Sequence, residues 1–188
     1  MADKRTFIGI PLPGEIKEQL RVVQEVLGSV SDGVKWVDPD LMHITLKFLG
    51  ETPERMLEAM REEFLRTVSG VEAFQLQIKQ LGQFPKEGEP RVLWAGVQRI
   101  PGRLYKLSDE LNTAYIAMGF DDSGKRFSPH ITLARIKHKL PEDFLRQYYE
   151  LVLKESVFDV DRIIWYESCN NHGTLSYVPL AEHSLNQI

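Results

Sequence analysis

Apolar side chains along this chain recur with two different periods, one typical of helices and one typical of strands. The uninterrupted run from Phe7 to Ile10 predicts a short buried strand near the N-terminus. Apolar residues then recur every three or four positions from Ile16 to Val30, which predicts a helix with one apolar face. The polar and glycine residues at 31–33 are expected to end that helix.

The same kinds of element are predicted along the rest of the chain. Alternating or continuous apolar positions indicate strands, whereas three- and four-residue spacing indicates helices. Strands are expected at 34–37, 41–48, 74–78, 92–97, around His130, at 157–165 and at 174–178, with helices at 57–68, 104–115 and 141–151. A turn is expected at 170–173. Short helices between strands indicate an α+β or an α/β architecture.

The tetrapeptide His-Ile-Thr-Leu occurs twice, at residues 43–46 and again at residues 130–133. The two copies lie 87 positions apart, and the same offset relates Gly9 to Gly96. Two chance occurrences of one tetrapeptide in a chain of this length are very improbable. The repeat therefore indicates an internal duplication of about half the chain.

The length of 188 residues is typical of one domain, and no low-complexity segment or linker divides it. Two repeats of this size suggest a duplicated domain with two lobes, not a solenoid. We therefore expect residues 1–188 to form a single domain of two pseudo-symmetric halves, at about 1–88 and 89–188.

The repeated motif places chemically active groups on one side of a strand. Because successive side chains point to opposite faces, His43 lies with Thr45, and His130 lies with Thr132. If a pseudo-twofold relates the halves, the two polar faces meet in one groove. One imidazole can then take a proton while the other gives one, and the hydroxyls can donate to charged phosphoryl oxygens. That set suits phosphodiester hydrolysis.

A lone histidine in an apolar strand is usually a packing residue, but two at the same point of a repeat favour function. The other histidines, His138, His172 and His183, lack this support, and we interpret them as solvated. The three tryptophans are interpreted as core residues, although one aromatic ring in the cleft would suit base stacking. No metal and no cofactor are expected, since no His-Glu-x-x-His motif or Asp/Glu cluster with metal-ligand spacing occurs.

The charge pattern argues for a small or single-ended anionic substrate. A net charge of −4 is unlike that of a duplex-binding domain. Basic residues nevertheless crowd near the second motif, and one follows the first. They are Lys125, Arg126, Arg135, Lys137 and Lys139, with Lys47 after the first motif. Together they favour attraction of a phosphate, although any one of them taken alone is more typical of a solvated face.

The remaining composition predicts a cytoplasmic monomer. Apolar residues make up 43% of the chain and charged residues 27%, as in an ordinary globular protein. The single Cys169 cannot close an internal disulfide, which favours a reducing compartment. We recognise no signal peptide and no apolar run of membrane-spanning length.

Residues 43–50, His-Ile-Thr-Leu-Lys-Phe-Leu-Gly, and 127–135, Phe-Ser-Pro-His-Ile-Thr-Leu-Ala-Arg, resemble the two signature motifs of the 2H phosphoesterase superfamily. They are most similar to its bacterial and archaeal RNA 2′,3′-cyclic phosphodiesterase branch, historically called 2′-5′ RNA ligase. Arg-Thr-Phe-Ile at 5–8 and Pro-Arg-Val-Leu-Trp-Ala-Gly-Val at 90–97 support the resemblance, which covers nearly the whole chain.

The resemblance implies a bilobal α+β fold, with antiparallel sheets lining a central cleft and helices packed outside. It also implies metal-independent hydrolysis of an RNA 2′,3′-cyclic phosphate end to a 2′-phosphate. Small cyclic or 2′,5′-linked nucleotides are further expected substrates. Carried over by position, His43 donates the proton to the leaving 3′ oxygen and His130 activates water. Thr45 and Thr132 hold the phosphate, Arg135 contacts the anion, and Arg126 is a second candidate for that contact.

Two other functions are weighed beside hydrolysis. One is a nucleotide-binding module of the same fold with little turnover, which the intact histidines and threonines disfavour. The other is reversible 2′-5′ RNA joining by the same site, a side reaction in dilute aqueous solution. The family commonly ends in Ser-x-Leu-x-Pro-x-Gly before a Tyr, whereas residues 168–173 here read Ser-Cys-Asn-Asn-His-Gly, with Tyr177 further on.

Overall fold

The computed structural model describes residues 3–28, 33–98, 101–122, 124 and 126–186. The strands are β1 (Lys4–Pro11), β2 (Val34–Trp36), β3 (His43–Thr52), β4 (Phe74–Phe84), β5 (Val92–Gln98), β6 (His130–Ile136), β7 (Ser156–Val160), β8 (Arg162–Asn171) and β9 (Thr174–Ser184). The helices are α1 (Gly14–Leu27), α2 (Leu57–Val68), α3 (Gly102–Ala117) and α4 (Glu142–Glu150). Val30, residues 31–32 and Lys125, which carried sequence predictions, lie outside the described residues.

Within the described residues, all nine strands form one antiparallel sheet. Eight of them follow the order β7-β4-β5-β6-β3-β1-β8-β9, and β2 pairs with β6 beside β3. The two strands that carry the repeated tetrapeptide are therefore neighbours at the centre of the sheet. The α+β class with antiparallel strands lining a cleft is confirmed.

The offset of 87 residues also relates the strands on either side of this centre. It carries β1 onto β5, β3 onto β6, and β4 onto β8. The strand order outward from β3 (β1, then β8) therefore corresponds to the order outward from β6 (β5, then β4). Strands of the two expected halves exchange places: β4 pairs with β5, and β8 pairs with β1. The halves expected at about 1–88 and 89–188 thus share one continuous sheet.

The apolar stripes predicted from sequence form the helix faces that cover this sheet. Helix α1 buries Ile16, Leu20, Val23 and Leu27, and the carbonyl of Pro13 accepts the first helical N–H groups. The Gln24 amide donates to the carbonyl oxygens of Val37 and Leu133, which joins α1 to β6. On α3, the Ser108 hydroxyl donates to the Leu46 carbonyl, and this bond joins that helix to β3.

Several element boundaries differ from the sequence prediction, and the strands predicted at 74–78 and 174–178, for example, extend to Phe84 and Ser184. The strand expected at 157–165 is two strands, since β7 pairs with β4 and β8 pairs with β1, with Asp161 between them. The strand expected at 41–48 begins at His43, after a short 3₁₀ turn at Pro39–Leu41. The turn at 170–173 shrinks to His172 and Gly173, whose φ values of 52° and 91° match a tight hairpin.

No helix among the described residues is long and apolar enough to cross a membrane.

Gly82 on β4 lies against the face of Trp94 on β5, and a Cβ built there would approach ring atoms of Trp94 to 2.2 Å. The Tyr148 hydroxyl holds this region, because it donates to the Gly82 carbonyl at 2.7 Å, lies 3.1 Å from the Trp94 carbonyl and accepts from the Gly82 N–H. We expect Gly82→Ala to lower the free energy of unfolding by about 1–3 kcal/mol, because the indole of Trp94 must shift from its contact with β4.

Denaturant unfolding measures this effect, with Gly70→Ala as the matched control because nothing lies within 4 Å of its Cβ position. The control is expected to leave stability unchanged or slightly higher. Equal stability of the two variants would contradict the packing described for Gly82.

Candidate active site

The central strand pair brings the two copies of the repeated motif together. Ile44 on β3 lies opposite Ile131 on β6, and both are fully buried. Extending this antiparallel register by one residue places His43 opposite Thr132, and Thr45 opposite His130. All four are partly exposed, as the alternation of strand side chains predicts. Diagonal neighbours in such a ladder lie about 7–8 Å apart, which is a suitable separation for two groups that flank a phosphate.

The imidazole of His43 is held by two hydrogen bonds and two aromatic contacts. Its Nδ1 lies 2.8 Å from the carbonyl oxygen of Leu41, and its Nε2 lies 3.1 Å from Oγ1 of Thr45. Because a carbonyl only accepts, Nδ1 carries the proton, and Nε2 of the neutral ring accepts from the threonine hydroxyl. The ring stacks on Phe7 at 4.6 Å between centroids and meets the edge of Tyr177 at 5.2 Å.

The imidazole of His130 is held in the same way on the partner strand. Its Nδ1 donates to the carbonyl oxygen of Ser128 at 2.8 Å, again two residues before the histidine. An edge contact with Phe84, at 4.9 Å between centroids, takes the place that Tyr177 has beside His43. Among the described residues Nε2 of His130 has no hydrogen-bond partner, so its lone pair is available to a substrate or a water molecule.

The site lowers the pKa of both imidazoles. Burial lowers the pKa of His43 below the ordinary value of 6.5, and the charges of His130 and Arg135 lower it further. For His130, burial again lowers the pKa most, and Arg135 adds to it. The carbonyl bonds of Leu41 and Ser128 act in the opposite direction. Both rings are therefore biased toward the neutral form in the free protein.

A cleft of about 1260 Å³ opens between β3 and the residues 118–121 and 126–128. Thr45, His130 and Arg126 line it. His43 faces the cleft only through its hydrogen bond with Thr45, and neither Thr132 nor Arg135 is part of the cavity wall. A side pocket of about 450 Å³ lies beyond His130, and Arg126 also borders it.

The basic residues predicted to attract a phosphate divide into different groups. Arg126 lines both cavities. Arg135 is exposed, although its charge reaches both imidazoles and Tyr177.

Lys47 is buried, with 6% of its surface exposed, and donates to Asn112 and the Asp121 carbonyl at 2.6 and 3.0 Å. It therefore anchors the cleft wall and is not a freely exposed cation. Lys137 and Lys139 are exposed, and Lys139 pairs with Glu89.

Sequence reasoning missed the aromatic contacts of the histidines. Phe7, Tyr177 and Phe84 contact the two rings from β1, β9 and β4, and their distances along the chain give no local signal. Trp94, interpreted as a core residue, is partly exposed and lines the side pocket. The prediction that His183 is solvated is wrong, because it is partly buried and its Nε2 has no partner among the described residues.

In the described part of the chain, no three His, Cys, Asp or Glu side chains are grouped closely enough to hold a metal ion.

The family model of LigT-like phosphoesterases matches residues 10–94. An RNA 2′,3′-cyclic phosphodiesterase of Thermotoga maritima is 35% identical over 164 residues, which cover 87% of this chain and 86% of the relative. One from Archaeoglobus fulgidus is 38% identical over 146 residues, or 77% and 80% of the two chains. The chain belongs to the LigT-like phosphoesterase family. The resemblance drawn from the two motifs is thus confirmed.

Solved structures support the same assignment for this LigT-like phosphoesterase. A protein of Thermus thermophilus superposes with a TM-score of 0.80 at 27% identity, over 97% of this chain and 98% of that one. Apo LigT of Escherichia coli superposes with a TM-score of 0.72 at 27% identity over the full length of both chains. LigT complexed with 3′-AMP gives 0.71 at 26% identity, again over both full chains.

The position of Arg135 predicts a measurable change in the imidazoles. Its positive charge disfavours the protonated form of each ring, so Arg135→Gln is expected to raise the pKa of both His43 and His130. An NMR titration of the ring resonances measures both values. Arg146→Gln, on the exposed side of α4, is the control and is expected to leave both imidazole pKa values unchanged. Unchanged values in Arg135→Gln would show that its charge does not reach the site.

Proposed function

We propose that this LigT-like phosphoesterase hydrolyses RNA 2′,3′-cyclic phosphate ends to 2′-phosphates, using His43 and His130 as an acid–base pair without a metal ion. The proposal rests on the equivalent hydrogen bonding of the two imidazole rings. Each donates Nδ1–H to the carbonyl two residues earlier, on adjoining strands that border one cleft. The names of the relatives from Thermotoga maritima and Archaeoglobus fulgidus support the substrate class.

The two rings are suited to opposite ends of an in-line displacement. His130, with Nε2 free among the described residues, takes the proton of the attacking water. His43, in its protonated form, gives the Nε2 proton to the departing 3′ oxygen as the P–O3′ bond breaks. The 2′ oxygen keeps the phosphate, so the product is a 2′-phosphomonoester. The rings end with their protons exchanged, and solvent restores the starting state.

The threonines and arginines are suited to the charge on the phosphate. Thr45 lines the cleft beside Nε2 of His43, and its hydroxyl can donate to a non-bridging oxygen when protonated His43 no longer accepts from it. We propose the same role for Thr132, which lies opposite His43 in the extended register. Arg126 borders the cleft, and Arg135 places positive charge near both rings.

When the hydroxyl of an RNA end attacks the cyclic phosphate in place of water, the same site joins two RNA ends through a 2′-5′ bond. Microscopic reversibility requires that a 2′,5′-linked nucleotide be cleaved through the same arrangement. In water, hydrolysis competes with joining, so we propose joining as a side activity. A monomeric state and a cytoplasmic location stay predictions.

The function is tested with an RNA oligonucleotide that ends in a 2′,3′-cyclic phosphate, incubated in EDTA. We expect a 2′-phosphate product at an undiminished rate. Since general acid and base catalysis each contribute about 10²–10⁴ in rate, His43→Ala and His130→Ala should each lose at least that factor in kcat. The double variant should lose little more, because the rings act as one unit.

His138→Ala, at an exposed position in the loop after β6, is the control and retains the rate. If the substrate stays unchanged at high enzyme concentration while nucleotides bind tightly, the proposal of hydrolysis is wrong. The protein would then be a nucleotide-binding module.

The lowered imidazole pKa values also set the pH dependence. A pair with one acid and one base gives a bell-shaped profile of kcat/KM, whose maximum is the mean of the two pKa values in the free enzyme. Both lie below the ordinary value, so the maximum is expected below about pH 6.5. Arg135→Gln moves it to higher pH. A rate that rises steadily through pH 8 would contradict an imidazolium as the acid.

A further inference from the structure

A second cavity adjoins His130 on the side away from β3. It has a volume of about 450 Å³ and shares part of its wall with the main cleft, through Phe84, Arg126, Phe127 and His130. His130 therefore stands between two spaces, of which only the larger contains Thr45. The hydrolysis proposed above assigns no role to this side pocket.

The lining of the side pocket suits a nucleoside. Trp94, Tyr105 and Phe127 supply aromatic surfaces from three separate segments of the chain, and the rings of Tyr105 and Phe127 meet edge to face at 5.9 Å. Gly96 contributes a wall without a side chain, and Gln80 and Lys86 stand exposed at the rim. Aromatic walls with a few polar groups are typical of sites that stack a base.

The stereochemistry of the displacement decides which nucleoside belongs there. In an in-line reaction the entering and leaving oxygens lie on opposite sides of the phosphorus atom. This step rests on the proposed function, in which His130 takes the proton of the entering group and His43 serves the leaving 3′ oxygen. The side pocket adjoins His130 and does not include Thr45, so it lies on the entering side. The RNA that carries the cyclic phosphate then occupies the main cleft.

We propose that the side pocket binds the nucleoside whose 5′-hydroxyl enters in place of water. In that step the P–O5′ bond forms while the P–O3′ bond breaks. The hydroxyl proton passes to Nε2 of His130, and the electron pair of the broken bond stays on O3′, which takes the proton of His43. No other reactant is needed. The reverse step cleaves a 2′,5′-linked dinucleotide to a cyclic phosphate and a free 5′-hydroxyl.

A partition experiment tests the pocket independently of the overall rate. An RNA ending in a 2′,3′-cyclic phosphate is turned over with increasing 2′,3′-dideoxyadenosine, whose only hydroxyl is at the 5′ position. The ratio of joined to hydrolysed product is measured, and steps common to both products cancel from it. We expect the ratio to saturate with nucleoside concentration. Tyr105→Ala should lower it by about tenfold, the loss typical of one stacked base.

Two further variants keep the test decisive. Gln80→Trp, at an exposed rim position, should also lower the ratio because the indole occupies the pocket. Lys106→Ala, which changes the exposed neighbour of Tyr105 on α3, is the control and should leave the ratio unchanged.

Each outcome decides between the proposals. Hydrolysis with no joined product, or a ratio that rises linearly and is the same in Tyr105→Ala and Gln80→Trp, would overturn the acceptor pocket while leaving hydrolysis intact. The absence of any hydrolysis would instead overturn the proposed function.

Discussion

The contact between Ile44 and Ile131 at the centre of the sheet is the constraint on which the site depends. Both side chains are fully buried beneath the helices, so the register of β3 against β6 is fixed by apolar packing. A slip of β3 by one residue would turn His43 and Thr45 into the core and expose Ile44. The hydrophobic core thus positions the polar groups without any direct bond between the two histidines.

The second constraint is the pair of carbonyl groups that orient the imidazoles. The Leu41 and Ser128 carbonyls each fix the proton on Nδ1, which leaves Nε2 of His130 facing the cleft and Nε2 of His43 bonded to Thr45 in the cleft wall. Aromatic packing on Phe7, Tyr177 and Phe84 excludes water and lowers the affinity of the rings for a proton. A bound phosphate anion would act in the opposite direction, so the ionisation of the site is coupled to its occupancy.

The sequence predicted those features that depend on local periodicity. Alternation within each tetrapeptide placed His43 with Thr45, and His130 with Thr132, and the helical stripe of α1 was readable from Ile16 to Leu27. Contacts between distant segments were not readable. The burial of Lys47 depends on Asn112 of α3, and the side pocket combines Tyr105 with Gln80. The single strand expected at 157–165 divides because its two parts pair with different strands.

The exchange of β4 and β8 across the sheet has a consequence for fragments of the protein. A chain cut near residue 88 would leave β1 without β8, and β5 without β4, so each piece would present a long unpaired strand edge. Such pieces are expected to aggregate when produced separately and to recombine when produced together. A single repeat could complete this sheet only by exchanging these strands with a second copy of itself.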